Sequence, residues 1–195
     1  MVKIVKGKYK NISLRVNYDY NIIVKAPKRV SDSYIQNFIK SKQNWIDKQI
    51  KRLSNINEFK KTYNFKDNVY LFNKEINWTG NKKAFYENAF YSEILPLVKQ
   101  LAEQCTLSYS KVALTNSKRL WGSLNNKKEM KLNWKIVILP KPLAEYIIIH
   151  ELCHGKEFNH SKNFWNLVST YIKDYKSKKK QLDKYSFLLK DSVLL

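Results

Sequence analysis

The sequence predicts an α+β fold, and three observations carry that prediction. Apolar residues alternate with polar ones near the start of the chain, as in half-buried strands. Apolar residues recur at helical spacing through most of the last third. Between these regions there is no regular alternation of strand and crossover helix, which disfavours a doubly wound sheet.

Taken in order, Ile12, Leu14, Val16 and Tyr18 face one side of a strand over 11–18, with Asn11, Ser13, Arg15 and Asn17 on the other. Asp19-Tyr20-Asn21 can turn the chain into a returning strand at Ile22-Ile23-Val24. Ser31 to Ser33 offer N-cap groups for a helix carrying Ile35, Phe38, Ile39, Ile46, Ile50 and Leu53. A strand pair is expected at Val69–Phe72 and Glu75–Trp78, turning at Asn73-Lys74. Residues 84–104 have helical spacing with a break or kink at Pro96. Strands are expected at 107–114, around 119–124 and at 130–138, followed by helices at 142–154, 162–173 and 178–190. The chain is thus expected to comprise an N-terminal strand and helix lobe over 1–82 and a second part over 83–195, sharing one core. The first lobe should hold antiparallel strands, and the second a mixed sheet followed by helices.

Composition narrows the function classes. With 44% apolar residues the chain can bury a sizeable core, so disorder is excluded. The first residues lack a secretory h-region, and no apolar run is long enough to span a bilayer. Two cysteines, Cys105 and Cys153, make no disulfide framework and fit a reducing, cytoplasmic setting. The formal charge is +21, yet only four of the 37 basic residues are Arg. Arg is the residue favoured for bidentate phosphate and base recognition, and the lysines are spread along the chain. A solvated surface fits this pattern better than a polyanion-binding patch, although weak DNA association is the alternative. Lys178-Lys179-Lys180 reads as the wet face of a helix.

The chemistry concentrates in eleven residues. His150, His154 and His160 are the only histidines, and with Glu151 they form H-E-x-x-H-x5-H. On a helix, residues i and i+4 share a face with β-carbons about 6 Å apart, so two imidazoles can reach one ion at about 2 Å each. Glu151 lies roughly 100° further round, suited to hold a water rather than to ligate. Gly155 can end the helix in a left-handed turn that swings His160 back as third ligand. The preceding residues Leu143, Ala144, Tyr146, Ile147, Ile148 and Ile149 are apolar nearly all round, so this helix should be buried. Two histidines and a glutamate at its end, without a partner, would cost several kcal/mol in lost solvation. A divalent cation, most naturally one Zn²⁺ per chain, supplies that partner. Cys153 reads as a small buried residue. Glu157 competes poorly with His160 for the metal and suits support of an imidazole.

Around this motif the sequence resembles the YgjP-like zinc metallopeptidase family, related to the SprT-like proteases, over most of its length. The matching residues are His150-Glu151-Leu152-Cys153-His154, Asn159-His160-Ser161, Phe164-Trp165, Trp121-Gly122-Ser123, Leu132-Asn133-Trp134 and Leu139-Pro140-Lys141-Pro142. The N-terminal strands and Phe38-Ile39 with Trp45-Ile46 are similar too. The resemblance implies a zincin-like fold, zinc on His150, His154 and His160, Glu151 as general base, and a peptide or protein substrate. It departs at one place: the family pattern Arg-Trp-Gly-Ser-Cys meets Leu120 and Leu124 here, with Arg119 one position early. Metzincins share the histidine spacing but carry Gly in place of Glu157 and need a Met-turn beyond the site. Met1 and Met130 both lie upstream.

Arg119, Trp121, Asn133 and Tyr146 are the candidate substrate-binding or site-supporting residues. Trp121 and Trp134 fit core packing, and residues 119–124 alternatively offer an edge strand for an extended peptide. Tyr146, Tyr171 and Tyr175 are the possible oxyanion donors. Two rival functions keep the same residues: hydrolysis of nucleotide phosphoanhydrides at the same metal, and a protease or binding protein associated with DNA.

Overall fold

The computed structural model describes residues 1–190. Two compact units emerge, Met1–Thr62 and Tyr63–Leu195. The expected division near 82 and 83 falls inside the second unit. The reason is a hairpin whose turn is held by that unit: the Phe72 and Asn73 N–H groups donate to the carbonyls of Val137 and Ile138, at 2.7 and 3.0 Å.

In the first unit, β1 (Val2–Gly7), β2 (Ser13–Val16) and β3 (Ile22–Pro27) form a sheet of order β1-β3-β2. β2 pairs antiparallel with β3, as the alternation suggested, but β1 runs parallel to β3. The N-terminal sheet is therefore mixed rather than antiparallel. β1 escapes sequence reading because Val2 and Ile4, its apolar residues on one face, remain exposed at a sheet edge. Asn17 Oδ1 accepts from the Asp19 and Asn21 N–H groups, and Tyr20 sits at φ 61, making the expected turn. Helix α1 (Asp32–Ser41) begins at Ser31, whose hydroxyl accepts from the Tyr34 N–H at 3.3 Å. It is followed by α2 (Gln43–Lys60). Val24, Ala26 and Ile35 are buried at the centre, with Ile12, Leu14 and Ile39 against them.

The second unit opens with the hairpin of β4 (Asn68–Leu71) and β5 (Lys74–Asn77). Its two turn residues are Phe72 and Asn73, both at positive φ, one place earlier than expected. Next come α3 (Lys82–Ala89), a single wide turn over Phe90–Ile94, and α4 (Leu95–Cys105). Pro96 stands in the first turn of α4, where its missing N–H is harmless, and the break lies just before it.

β6 (Lys111–Thr115), β7 (Gly122–Leu124) and β8 (Glu129–Asn133) form a sheet of order β6-β8-β7, with β6 parallel and β7 antiparallel to β8. The expected strand at 130–138 stops at Asn133. There the Asn133 side chain accepts from the Lys135 N–H and starts a 3-10 helix, Trp134–Ile138. Its apolar run is buried on every side, so periodicity could not separate strand from helix.

Helices α5 (Lys141–Cys153), α6 (Lys162–Tyr171), α7 (Tyr175–Lys184) and α8 (Ser186–Lys190) complete the unit. α5 is buried almost all round, as its sequence requires, and it packs against α4, α6, α7 and β7. No helix among the described residues is long and apolar enough to cross a membrane.

Candidate metal centre

The last turn of α5 carries His150 and Glu151, and His154 follows as its C-cap. The chain does not leave through a left-handed glycine. No glycine has positive φ, and Gly155 continues in tight turns, its N–H donating to the Leu152 carbonyl at 3.0 Å. Lys156 and Glu157 N–H groups both reach the Cys153 carbonyl. This winding delivers His160, and Ser161 then caps α6, its hydroxyl accepting from the Phe164 N–H.

The three imidazoles converge. One ligand atom from each of His150, His154 and His160 lies within 4.8 Å of the others. Nε2 of His150 and Nε2 of His160 are 3.0 Å apart. Two nitrogens on a tetrahedral zinc, each at about 2.0–2.1 Å, stand roughly 3.3 Å apart, so the donor pair fits such an ion. His154 is oriented by the main chain: its Nδ1 donates to the Glu157 carbonyl at 2.9 Å, leaving Nε2 as the free donor atom. The support expected from Glu157 thus comes from its backbone rather than its carboxylate. Nδ1 of His150 is buried and has no hydrogen-bond partner among the described residues.

Burial keeps His150 in the form that ligates metal. Burial, helped by the neighbouring His154 and His160 and by Lys179, pushes the His150 imidazole down to about 3. It is neutral at physiological pH, the form that ligates metal. Burial also lowers His160, with His154 and Lys179 adding to the effect. Glu151 is only 7% exposed, and burial pushes its carboxyl up to about 8. A Cβ on Gly122 would come within 2.7 Å of the Glu151 Cγ, so β7 presses directly on the glutamate.

Aromatic rings pack around the cluster. Phe164, fully buried, lies 4.9, 4.4 and 4.8 Å from the ring centres of His150, His154 and His160. Trp165 stacks on His160 at 5.5 Å, and Tyr175 stacks on Trp165 at 5.2 Å. Phe164 and Trp165 come from α6, so the matched pair lies against the histidines.

A cavity of about 230 Å³ opens beside the cluster, reaching both His150 and Glu151. Arg119, Trp121 and Tyr146, three of the four supporting candidates, line it. Asn133 does not. It is fully buried, and its amide donates to the carbonyls of Ser117 and Leu120, at 2.8 and 3.2 Å, holding the loop that leads into β7. Tyr171 donates its hydroxyl to the Cys105 carbonyl and lines a different cavity. Cys153 is fully buried.

Sequence reasoning missed two residues of this cavity, Lys179 and Leu182 of α7. Tyr175, Lys179 and Leu182 are spaced i, i+4, i+7, which was the available signal; the lysine run obscured it.

Three converging histidines at the end of a buried helix, beside a buried glutamate, are what a metal-dependent hydrolase displays. The family comparison gives the class, which is metallopeptidase. The matching family model is the YgjP-like metallopeptidase domain, which covers residues 10–84 and 77–185, and the chain belongs to that family. Among solved structures, the crystal structure of the metallopeptidase zymogen of Pyrococcus abyssi abylysin is 21% identical, with a TM-score of 0.42. That match covers 46% of this chain and 90% of the other. No curated protein matches the chain.

Proposed function

We propose that the protein is a zinc-dependent peptidase of zincin-like architecture, in which His150, His154 and His160 hold one zinc and Glu151 acts as general base. The observation that carries this reading is the convergence of three imidazoles, one of which, His150, lines a cavity together with Glu151. Bound there, zinc supplies Lewis acidity, polarising a substrate carbonyl and acidifying water. Glu151 is protonated by burial alone; beside a cation its carboxylate is favoured and becomes a base near neutrality. It takes the proton of the attacking water and passes it to the leaving amine nitrogen. Gly122 leaves the clearance that lets the Glu151 side chain take up its position. The free edge of β7 supplies main-chain groups with which an extended peptide can pair. Tyr146 packs its ring 5.9 Å from His150, and among the three tyrosines weighed as oxyanion donors it is the one that lines the cavity.

The test is a comparison of wild type with Glu151→Gln on a panel of peptides, with zinc measured in both. The variant is expected to retain about one zinc per chain and to lose roughly 10²–10⁴ in kcat. Full activity in Glu151→Gln removes the assignment of the base. Activity that survives complete removal of metal by a chelator removes the metal mechanism.

A further inference from the structure

Lys179 stands out among the many lysines. Its neighbour Lys178 is paired with Asp174 at 3.2 Å, as surface lysines commonly are. Lys179 instead rests its ammonium 4.6 Å above the Trp165 ring, the same ring that stacks on His160. Among the described residues, no carboxylate forms an ion pair with Lys179 or with Arg119. Both line the cavity beside the histidines, and the one carboxylate lining it is the buried Glu151.

Two unpaired cations beside a cluster suited to a third repel one another, an arrangement that an incoming anion relieves. The remaining wall is largely apolar, with Leu120, Trp121, Ile147 and Leu182 available to hold an aliphatic stem. At about 230 Å³ the cavity is smaller than the ~300 Å³ lower bound usual for small-molecule pockets. It suits one side chain or a chain terminus better than a nucleotide. In a peptide the anions available are acidic side chains and the terminal carboxylate.

We infer that this cavity is a carboxylate-selective subsite, in which Lys179 and Arg119 bind an acidic side chain or the free C-terminus of the peptide next to the scissile bond. The inference rests on the peptidase reading above and adds a substrate preference to it. The wall of α7 thereby becomes a determinant of specificity, with Trp165 fixing the lysine at a set place relative to the histidines.

The test uses the zinc-loaded full chain and matched peptides that differ only in Glu, Gln or Lys at each position around the cleaved bond. Each peptide is prepared with a free and with an amidated C-terminus. Wild type is expected to favour Glu over Gln, or free over amidated termini, by roughly tenfold in kcat/KM, and to disfavour Lys. The arm that shows the preference identifies which carboxylate is bound. Lys179→Gln, which keeps a stem over Trp165, should bring the ratio close to one, and Lys179→Arg should restore it. Equal cleavage of charged and neutral peptides by wild type overturns the inference while leaving the peptidase reading intact. So does a Lys179→Gln variant that lowers every peptide alike, since that marks a structural role. If no peptide is cleaved, the peptidase reading fails and takes this inference with it.

Discussion

At the scale of single residues, the contact between Gly122 and Glu151 makes the sharpest claim. A side chain at this position must push Glu151 aside, because a Cβ would stand 2.7 Å from the Glu151 Cγ and 3.0 Å from its Oε1. Gly122→Ala should therefore displace the carboxylate, and a displacement of that order costs roughly a hundredfold in turnover. Zinc content should stay at the wild-type level, because none of the three imidazoles is touched; turnover and metal content measured on one preparation check both halves. The opposite outcome is expected at Glu157. Its backbone carbonyl, not its side chain, receives the His154 Nδ1–H. Glu157→Ala should thus leave zinc affinity within about twofold of wild type, whereas a carboxylate acting on the metal or its ligands would cost 10–100-fold. Competition with a calibrated chelator reads this directly.

At the scale of elements, α5 and α6 pack the histidine cluster together. α5 contributes His150 and Glu151 from a helix that is buried because its residues are apolar all round, and α6 places Phe164 against all three imidazoles. The start of α6 is set by Ser161, one residue beyond the third histidine. Ser161→Ala should remove that cap, lowering stability by about 1 kcal/mol and loosening the turn that holds His160. The expected readout is a lower thermal midpoint, with a weaker zinc affinity in the same variant. A midpoint that falls with unchanged zinc affinity would show that the His160 turn is held independently of α6.

At the scale of the whole molecule, the buried His150 and Glu151 link stability to pH in opposite senses. Burial lowers His150 from 6.5 to about 3, so the folded chain binds fewer protons there than the unfolded chain. Its contribution is present above 6.5 and is lost as pH falls towards 3. Burial raises Glu151 from 4.5 to about 8, so its contribution is present below 4.5 and is lost as pH rises towards 8. For metal-free protein the two slopes oppose each other between 4.5 and 6.5, and stability falls on either side. The alkaline fall should vanish in metal-free Glu151→Gln, and it should shrink in wild type when zinc is added, because a cation favours the carboxylate. Thermal melts across pH on the three samples test this, and an alkaline limb that persists in Glu151→Gln assigns it to another group.

Local chemistry made much of this legible in the residues alone. The i, i+4 spacing of His150 and His154, the apolar surround of their helix and the Ser31 cap are local, and local patterns survive folding. The α+β class and the order of most elements follow from the same patterns. Where the sequence reading went astray, long-range partners decided. β1 became a parallel edge strand because β3 was there to pair with it. The strand expected to reach 138 turned at Asn133, whose side chain capped a 3-10 helix while its amide held the loop at Ser117 and Leu120. The hairpin turn moved to Phe72 and Asn73, where the carbonyls of Val137 and Ile138 receive their N–H groups.

The histidine cluster divides along the same line. Sequence alone singled out the candidate side chains, because His150, Glu151 and His154 fall at helical spacing at the end of a buried helix and His160 follows shortly after. Only the tertiary structure decided what surrounds them: the carbonyl that orients His154, the strand that presses on Glu151, and the lysine of α7 above Trp165. Those contacts join segments far apart in the chain, and distance along a sequence carries no record of distance in space.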